Sequence, residues 1–347
     1  MTTPRETSLY KVLPLASDLK ARRRYMIVDE PIVGNFRFGL LLEDLDIMAE
    51  QAALGYARSI HPDAKVVTAA IDNIIVRHVV DNDRDIQIDA RINHVGRSSM
   101  VVGMRVEHAG DPSTHIASCY FTMVARGGES AEESRVLPPL EYQDELEKHR
   151  AEKSMQEREQ YRQQQAAQQE PPSYEEYALL RQLHEAQDQP GFSGVKADSL
   201  VVESWERMYP EQEYVPHRIF GGYIIRRAYE LSSMCAEQIA PGRALIAAVN
   251  RINFFHPVRL GDKLHYTCRV VYTCDSFVCV EAGIERISRD RNSKALSNSC
   301  LFTFVNVDSS LQHQPVPAIY PTTYAEDARY LAAFRSHRAM VKHYDLI

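Results

Sequence analysis

No run of eighteen apolar residues occurs in the 347-residue chain, so nothing in it reads as a membrane-spanning helix, and membrane insertion is not expected. It does not open on a basic, then apolar, then small-residue leader, which points to a soluble, intracellular protein. Excess positive charge is missing too. With 40 Lys and Arg against 47 Asp and Glu the net charge is −7, which argues against a general nucleic-acid or anionic-membrane binder. The six cysteines (Cys119, Cys235, Cys268, Cys274, Cys279 and Cys300) contain no Cys-x-x-Cys pair and no histidine at ligand spacing. No metal site is therefore expected, and buried free thiols in a reducing compartment are the better reading. A Gly-x-Ser-x-Gly turn is also absent, which disfavours a Ser-His-Asp hydrolase. What remains is 44% hydrophobic and 25% charged, an ordinary balance in a chain long enough for two domains with good cores.

The chain is duplicated. Asn35–Asp46 and His217–Glu230 align at an offset of 183, with Gly39 on Gly222. The apolar positions Leu41, Leu45, Met48 and Ala52 then fall on Ile224, Ala228, Leu231 and Cys235, the i, i+4, i+7, i+11 stripe of a buried helix face. Glycine at the start of each helix lets another group approach free N–H donors at the helix's positive end.

Strand-like runs follow each helix: Val66–Val76, Ile86–His94, Met100–Glu107 and His115–Val124 in the first half. In the second they are Leu245–Phe254, Lys263–Tyr272, Phe277–Ile287 and Ala295–Val307. At an offset of 178, Ala70, Ile71, Ile74, His78, Val80, Ile86 and Ser98 fall on Ala248, Val249, Ile252, His256, Val258, Leu264 and Ser276. Opening strands are expected at Tyr25–Val28 and at Val201–Met208. The repeat unit is thus a strand, a helix and four strands.

The organisation expected is a first domain at 1–136, a charged linker at 137–190, a second domain at 191–308 and a C-terminal tail with a short helix at 309–347. Glu141–Gln169 is rich in Glu, Lys, Arg and Gln, so it reads as a solvated helix or mobile spacer; Tyr174–His184 is amphipathic enough to pack on a domain.

A helix wrapped by an antiparallel sheet, occurring twice, is the tandem (double) hotdog arrangement: an α+β fold with two sheets, each around a central helix, facing each other as a pseudo-dimer. Phe255–Asp262 (Phe-His-Pro-Val-Arg-Leu-Gly-Asp) resembles the hotdog thioesterase signature, and Gly96–Met100 (Gly-Arg-Ser-Ser-Met) resembles the Gly-Lys-Thr-Ser-Met run of acyl-CoA thioesterases. Together with Phe36–Asp46, Ile219–Leu231 and Tyr320–Tyr324, they make nearly the whole chain similar to the mitochondrial acyl-CoA thioesterase subgroup numbered nine. The resemblance implies hydrolysis of acyl-CoA to a free acid and CoA, no cofactor beyond the substrate's own CoA, a trimer of double-hotdog chains, and the mitochondrial matrix, with the cytoplasm as the alternative compartment. The basic residues of the first 26 positions are interrupted by Glu6 and Asp18, so they support a mitochondrial presequence poorly.

Within that resemblance Asp46 stands seven residues after Gly39, where the family's helix carries its catalytic carboxylate. Leu42 and Ala49 put it at the margin of the buried stripe, where partial desolvation raises its proton affinity toward a general base. Glu43 and Asp44 are read instead as solvated acids near the helix's positive end. The opposite loop offers His217 where relatives commonly have Asn, and Gly221 and Gly222 offer N–H groups to the oxyanion. In the mirror site Tyr229 takes the slot of Asp46, with Glu230 beside it and Asn35 in the loop, so that site is expected to be spent, or to bind without turnover. Ser98 and Ser99, and Arg226 and Arg227 toward CoA phosphates, are candidate substrate contacts; His78 and His256 read as structural. The competing readings are a catalytically degenerate acyl-CoA-binding or sensing protein and, on the same fold, a hydratase, whose loop signature is not found.

Overall fold

A computed structural model describes residues 2–344 apart from 73, 129–132, 216, 217 and 220, and leaves out the side chains of 161, 213–215, 218, 219, 251 and 342–344. The first unit opens with the strand Leu9–Leu13 and a short helix, α1 (Leu19–Tyr25), and α2 (Phe38–Ile60) is its central helix. The expected strand at Tyr25–Val28 is not formed. Asp18 caps α1 by accepting from the Lys20 and Ala21 N–H groups, which carries the helix up to Tyr25, and Leu9–Leu13 pairs with Ile86–Ala90 instead.

Lys65–Ile71, Ile74–Val76, Ile86–Val95, Ser99–His108 and Asp111–Gly127 complete the first sheet. The linker folds into α3 (Glu145–Gln168) and α4 (Tyr174–Gln187). The second unit has Val201–Arg207, the central helix α5 (Gly221–Glu237), and the strands Arg243–Phe254, Lys263–Cys274, Phe277–Ile287 and Lys294–Val307. The tail ends in α6 (Tyr324–Tyr344), longer than the short helix expected.

Alternation of apolar and polar residues wraps each sheet around its helix, and the stripe positions of both central helices are buried. The two sheets join edge to edge in one 12-stranded antiparallel sheet. Ile71 faces Ile252 and Ile74 faces Val249; Ala70 faces Asn253 and Ile75 faces Ala248. Under the 178-residue offset each of these pairings exchanges with another, so the seam lies on the pseudo-twofold axis implied by the repeat. Besides sharing the seam, α2 and α5 pack on each other.

The linker is not a spacer alone. Leu137 and Leu140 enter the core, and α3 lies on the strand Ile86–Val95 with Ala151 and Ser154 buried. Arg335 of α6 clamps the turn between α3 and α4. Its Nε and Nη2 donate to the two carboxylate oxygens of Glu176 at 2.6 and 2.7 Å, and its Nη1 donates to the Ala167 carbonyl at 2.8 Å. The guanidinium holds the Glu176 carboxyl down at about 2. Arg335→Ala is expected to cost about 1.5–3 kcal/mol, as loss of charge-assisted bonds does, and to speed amide exchange in α3 and α4. Wild-type exchange in both helices would show that the clamp contributes nothing.

Candidate functional site

Each central helix presents its first turn to the middle of the other. Asp46, on the third turn of α2, is 1% exposed, so it sits in the interior rather than at the margin of the stripe. The reason is α5: Asp46 Oδ1 accepts from Thr68 Oγ1 at 2.6 Å, and the carboxylate also accepts from the Gly222 N–H of the α5 first turn. A Cβ added at Gly221 would stand 3.3 Å from Asp46 Oδ2 and 3.2 Å from Phe254 Cε1, so glycine leaves room for the two halves to meet.

Burial is the main cause that pushes the Asp46 carboxyl up to about 6, with Glu43 adding to it; the bonds from Thr68 and Gly222 pull the other way. At neutral pH this is an ionised carboxylate with raised basicity, held beside the positive end of a helix. That setting suits a general base that deprotonates a water molecule beside a carbonyl polarised by the helix end. Thr68 escaped sequence reasoning because a strand threonine carries no signal of its own. The only hint lies in the repeat, since its counterpart at the 178 offset is apolar Ile246. Asp72 is also raised, pushed to about 7 by burial, but its charged neighbours are Arg158 and Glu157 of α3. It therefore belongs to the helix-covered outer side of the sheet rather than to the α2–α5 contact.

Other expected residues fall differently. His217 lies outside the described residues. The Gly222 N–H, expected at an oxyanion, is aimed at Asp46 itself. Asp44 is not solvated: it is buried and accepts from Lys11 Nζ at 2.7 Å and from the Tyr25 hydroxyl, because the lead-in segment folds over the start of α2. Glu43 is likewise engaged, with Arg226 Nη1 at 2.7 Å. Arg227 pairs with Glu230 at 3.0 Å and lies 3.7 Å from Glu206, so both arginines are neutralised within the chain. Ser98 and Ser99 shape the hairpin at Gly96, whose N–H donates to the Ser99 carbonyl at 2.7 Å. His78 Nδ1 donates to the His115 carbonyl at 2.7 Å, and His256 is exposed.

The mirror position is built from the same backbone and different side chains. Tyr229 packs between Phe38, Phe302 and Phe304, with ring centroids 5.7–5.9 Å apart, and a Cβ added at Gly39 would stand 3.0 Å from its Cδ1. Burial raises its phenol well above the usual range, so it stays neutral. Asn35 is used up in its loop, accepting from Ile27 and Val28 N–H and donating to the Val28 and Glu30 carbonyls. Glu230 pairs with Arg37 at 2.8 Å. No group of three or more His, Cys, Asp or Glu capable of holding a metal occurs among the described residues.

Comparison with known proteins gives the same duplication. The thioesterase superfamily profile matches twice, at residues 47–114 and 217–291. Acyl-coenzyme A thioesterase 9, mitochondrial, of Homo sapiens is 27% identical over 358 residues, spanning 95% of this chain and 76% of that one. Acyl-coenzyme A thioesterase 10, mitochondrial, of Mus musculus is 26% identical, spanning 97% and 78%. Among solved structures, a protein assigned as an oleoyl thioesterase from Lactobacillus plantarum shares the fold at a TM-score of 0.52, covering 86% of this chain and 95% of its own, with 10% identity.

Proposed function

Because the chain belongs to the thioesterase superfamily, with two hotdog units in one polypeptide, we propose that it hydrolyses acyl-CoA thioesters at one site per chain, where Asp46 meets the start of α5. The observation that carries this reading is the buried carboxylate of one half bonded to a first-turn N–H of the other half's helix. In the reaction Asp46 takes a proton from a water molecule as its oxygen attacks the thioester carbon. Negative charge gathers on the carbonyl oxygen at the α5 N-terminus, where the Gly221 N–H is the donor at hand, the Gly222 N–H being engaged by Asp46. The carbon–sulfur bond then breaks, Asp46 returns its proton to the departing thiolate, and the products are the acid and CoA. His217 keeps its role from the sequence, orienting the water or the carbonyl. A mitochondrial location, the compartment in the relatives' names, and the trimer implied by the resemblance of the sequence belong to the same proposal; mass in solution tests the second.

Thiol release from a panel of acyl-CoAs is the direct test, and it also reads chain-length preference. Stabilisation by acyl-CoA without thiol release would select a binding protein instead.

The pH profile gives a second test. With Asp46 as base, kcat/KM rises with pH through a midpoint of about 6. The Thr68 hydroxyl favours the ionised form, so Thr68→Val moves that midpoint upward by about one unit, the equivalent of one bond to a charged group. A profile that stays in place would exclude Asp46 as the titrating base.

A further inference from the structure

We propose that the mirror site of the pseudo-dimer binds an aliphatic monocarboxylate, its chain in the cavity beside Tyr229 and its head on Arg243. The proposal rests on the reading above only in taking such an acid to be the reaction product.

The cavity has a volume of about 410 Å³, within the usual range of small-molecule sites. It stands where symmetry puts the second active site, for Tyr229 and Ile246, the counterparts of Asp46 and Thr68, both line it. The two substitutions remove the base and its hydrogen-bond donor and leave an apolar wall, continued by Val76, Val79 and Leu245. What turnover needs has gone, while space for a hydrocarbon chain remains.

Among the described residues one cation stands in the wall of this space. Arg243 lines the cavity and donates from Nη1 to the Val33 carbonyl, but its Nε and Nη2 are buried with no hydrogen-bond partner among the described residues. Nε–H and Nη2–H are the parallel pair that a carboxylate engages side-on with both oxygens. Leaving two buried donors of a charged group unpaired is costly, and an anionic head removes that cost, whereas a neutral thioester carbonyl or an alcohol does not balance the charge. Tyr229 adds a phenol that burial keeps protonated, a further donor lining the same cavity. Glu237 also lines it and is exposed, so a second negative group toward solvent is disfavoured. That selects a free monocarboxylate over a dicarboxylate and over the phosphate-bearing acyl-CoA.

The experiment uses octanoate and a diazirine-bearing analogue on the full chain. Photolabelling is expected on peptides containing Val79 and Leu245, equally in wild type and in Asp46→Asn, because binding needs no turnover. Arg243→Gln should weaken octanoate about tenfold or more, as loss of charge-assisted bonds implies. Val79→Trp, at the partly exposed rim, should block the cavity at unchanged melting temperature. Octanol and octanedioate should bind at least tenfold more weakly than octanoate. Labelling confined to peptides around Asp46 and Gly221, no labelling, or octanoate affinity unaltered by both variants overturns the proposal. Thiol release, measured separately on the same proteins, reports on the hydrolase reading alone.

Discussion

Asp46→Asn is expected to lose about 10²–10⁴-fold in turnover, the usual contribution of a positioned general base, and to gain stability at neutral pH. Its carboxyl is pushed from the ordinary 3.8 to about 6 by burial, so the folded protein holds a proton that the unfolded chain has released across that interval. Stability therefore falls as pH rises from about 4 to about 6, and the penalty stands in full above it. At 1.36 kcal/mol per pH unit the ionised carboxylate costs on the order of 3 kcal/mol at pH 7. Asparagine keeps the shape and an acceptor for the Gly222 N–H without the charge, but its amide group needs a partner of its own. The net gain is thus about 1–3 kcal/mol at pH 7, vanishing near pH 4. Urea midpoints of wild type and variant at the two pH values, with thiol release alongside, decide the matter. A variant that is inactive but less stable than wild type at pH 7 would mean that Asp46 holds the halves together; one that remains active would remove it from the mechanism.

Tyr229→Asp should not revive the mirror site. It is the direct attempt to copy Asp46 across the pseudo-twofold axis, and it places a carboxylate among Phe38, Phe302 and Phe304. Ile246 stands where Thr68 would supply its hydroxyl. Removing a buried aromatic ring costs about 3–5 kcal/mol, and a carboxyl in that box adds a desolvation penalty or stays protonated. The expected result is a clear drop in the urea midpoint with no rise in turnover per chain. A stable variant with doubled turnover would show that the mirror site lacks only its base.

Much of this was legible in the residues. The stripe from Leu41 to Ala52, its copy from Ile224 to Cys235, and the 178-residue register of the strands are local periodicities, set by side-chain geometry along a helix or strand. The spacing from Gly39 to Asp46, with the family resemblance, named as a candidate the carboxylate that the fold buries against α5. The strand expected at Tyr25–Val28 failed because a helix cap at Asp18 outweighed a short β-branched run. Arg226 and Arg227 read as substrate-facing because Glu43 and Glu206, which help to neutralise them, are remote in the chain.

The sequence by itself determined that there are two like units, what elements each contains, and that only the first half carries an acid at the helix position. Tertiary structure alone decided how deeply that acid is buried, which hydroxyl and which N–H reach it, and that the opposite pocket kept its volume. The physical reason is that periodicity is written into neighbouring residues, whereas desolvation and hydrogen bonding depend on whatever the other half lays across them.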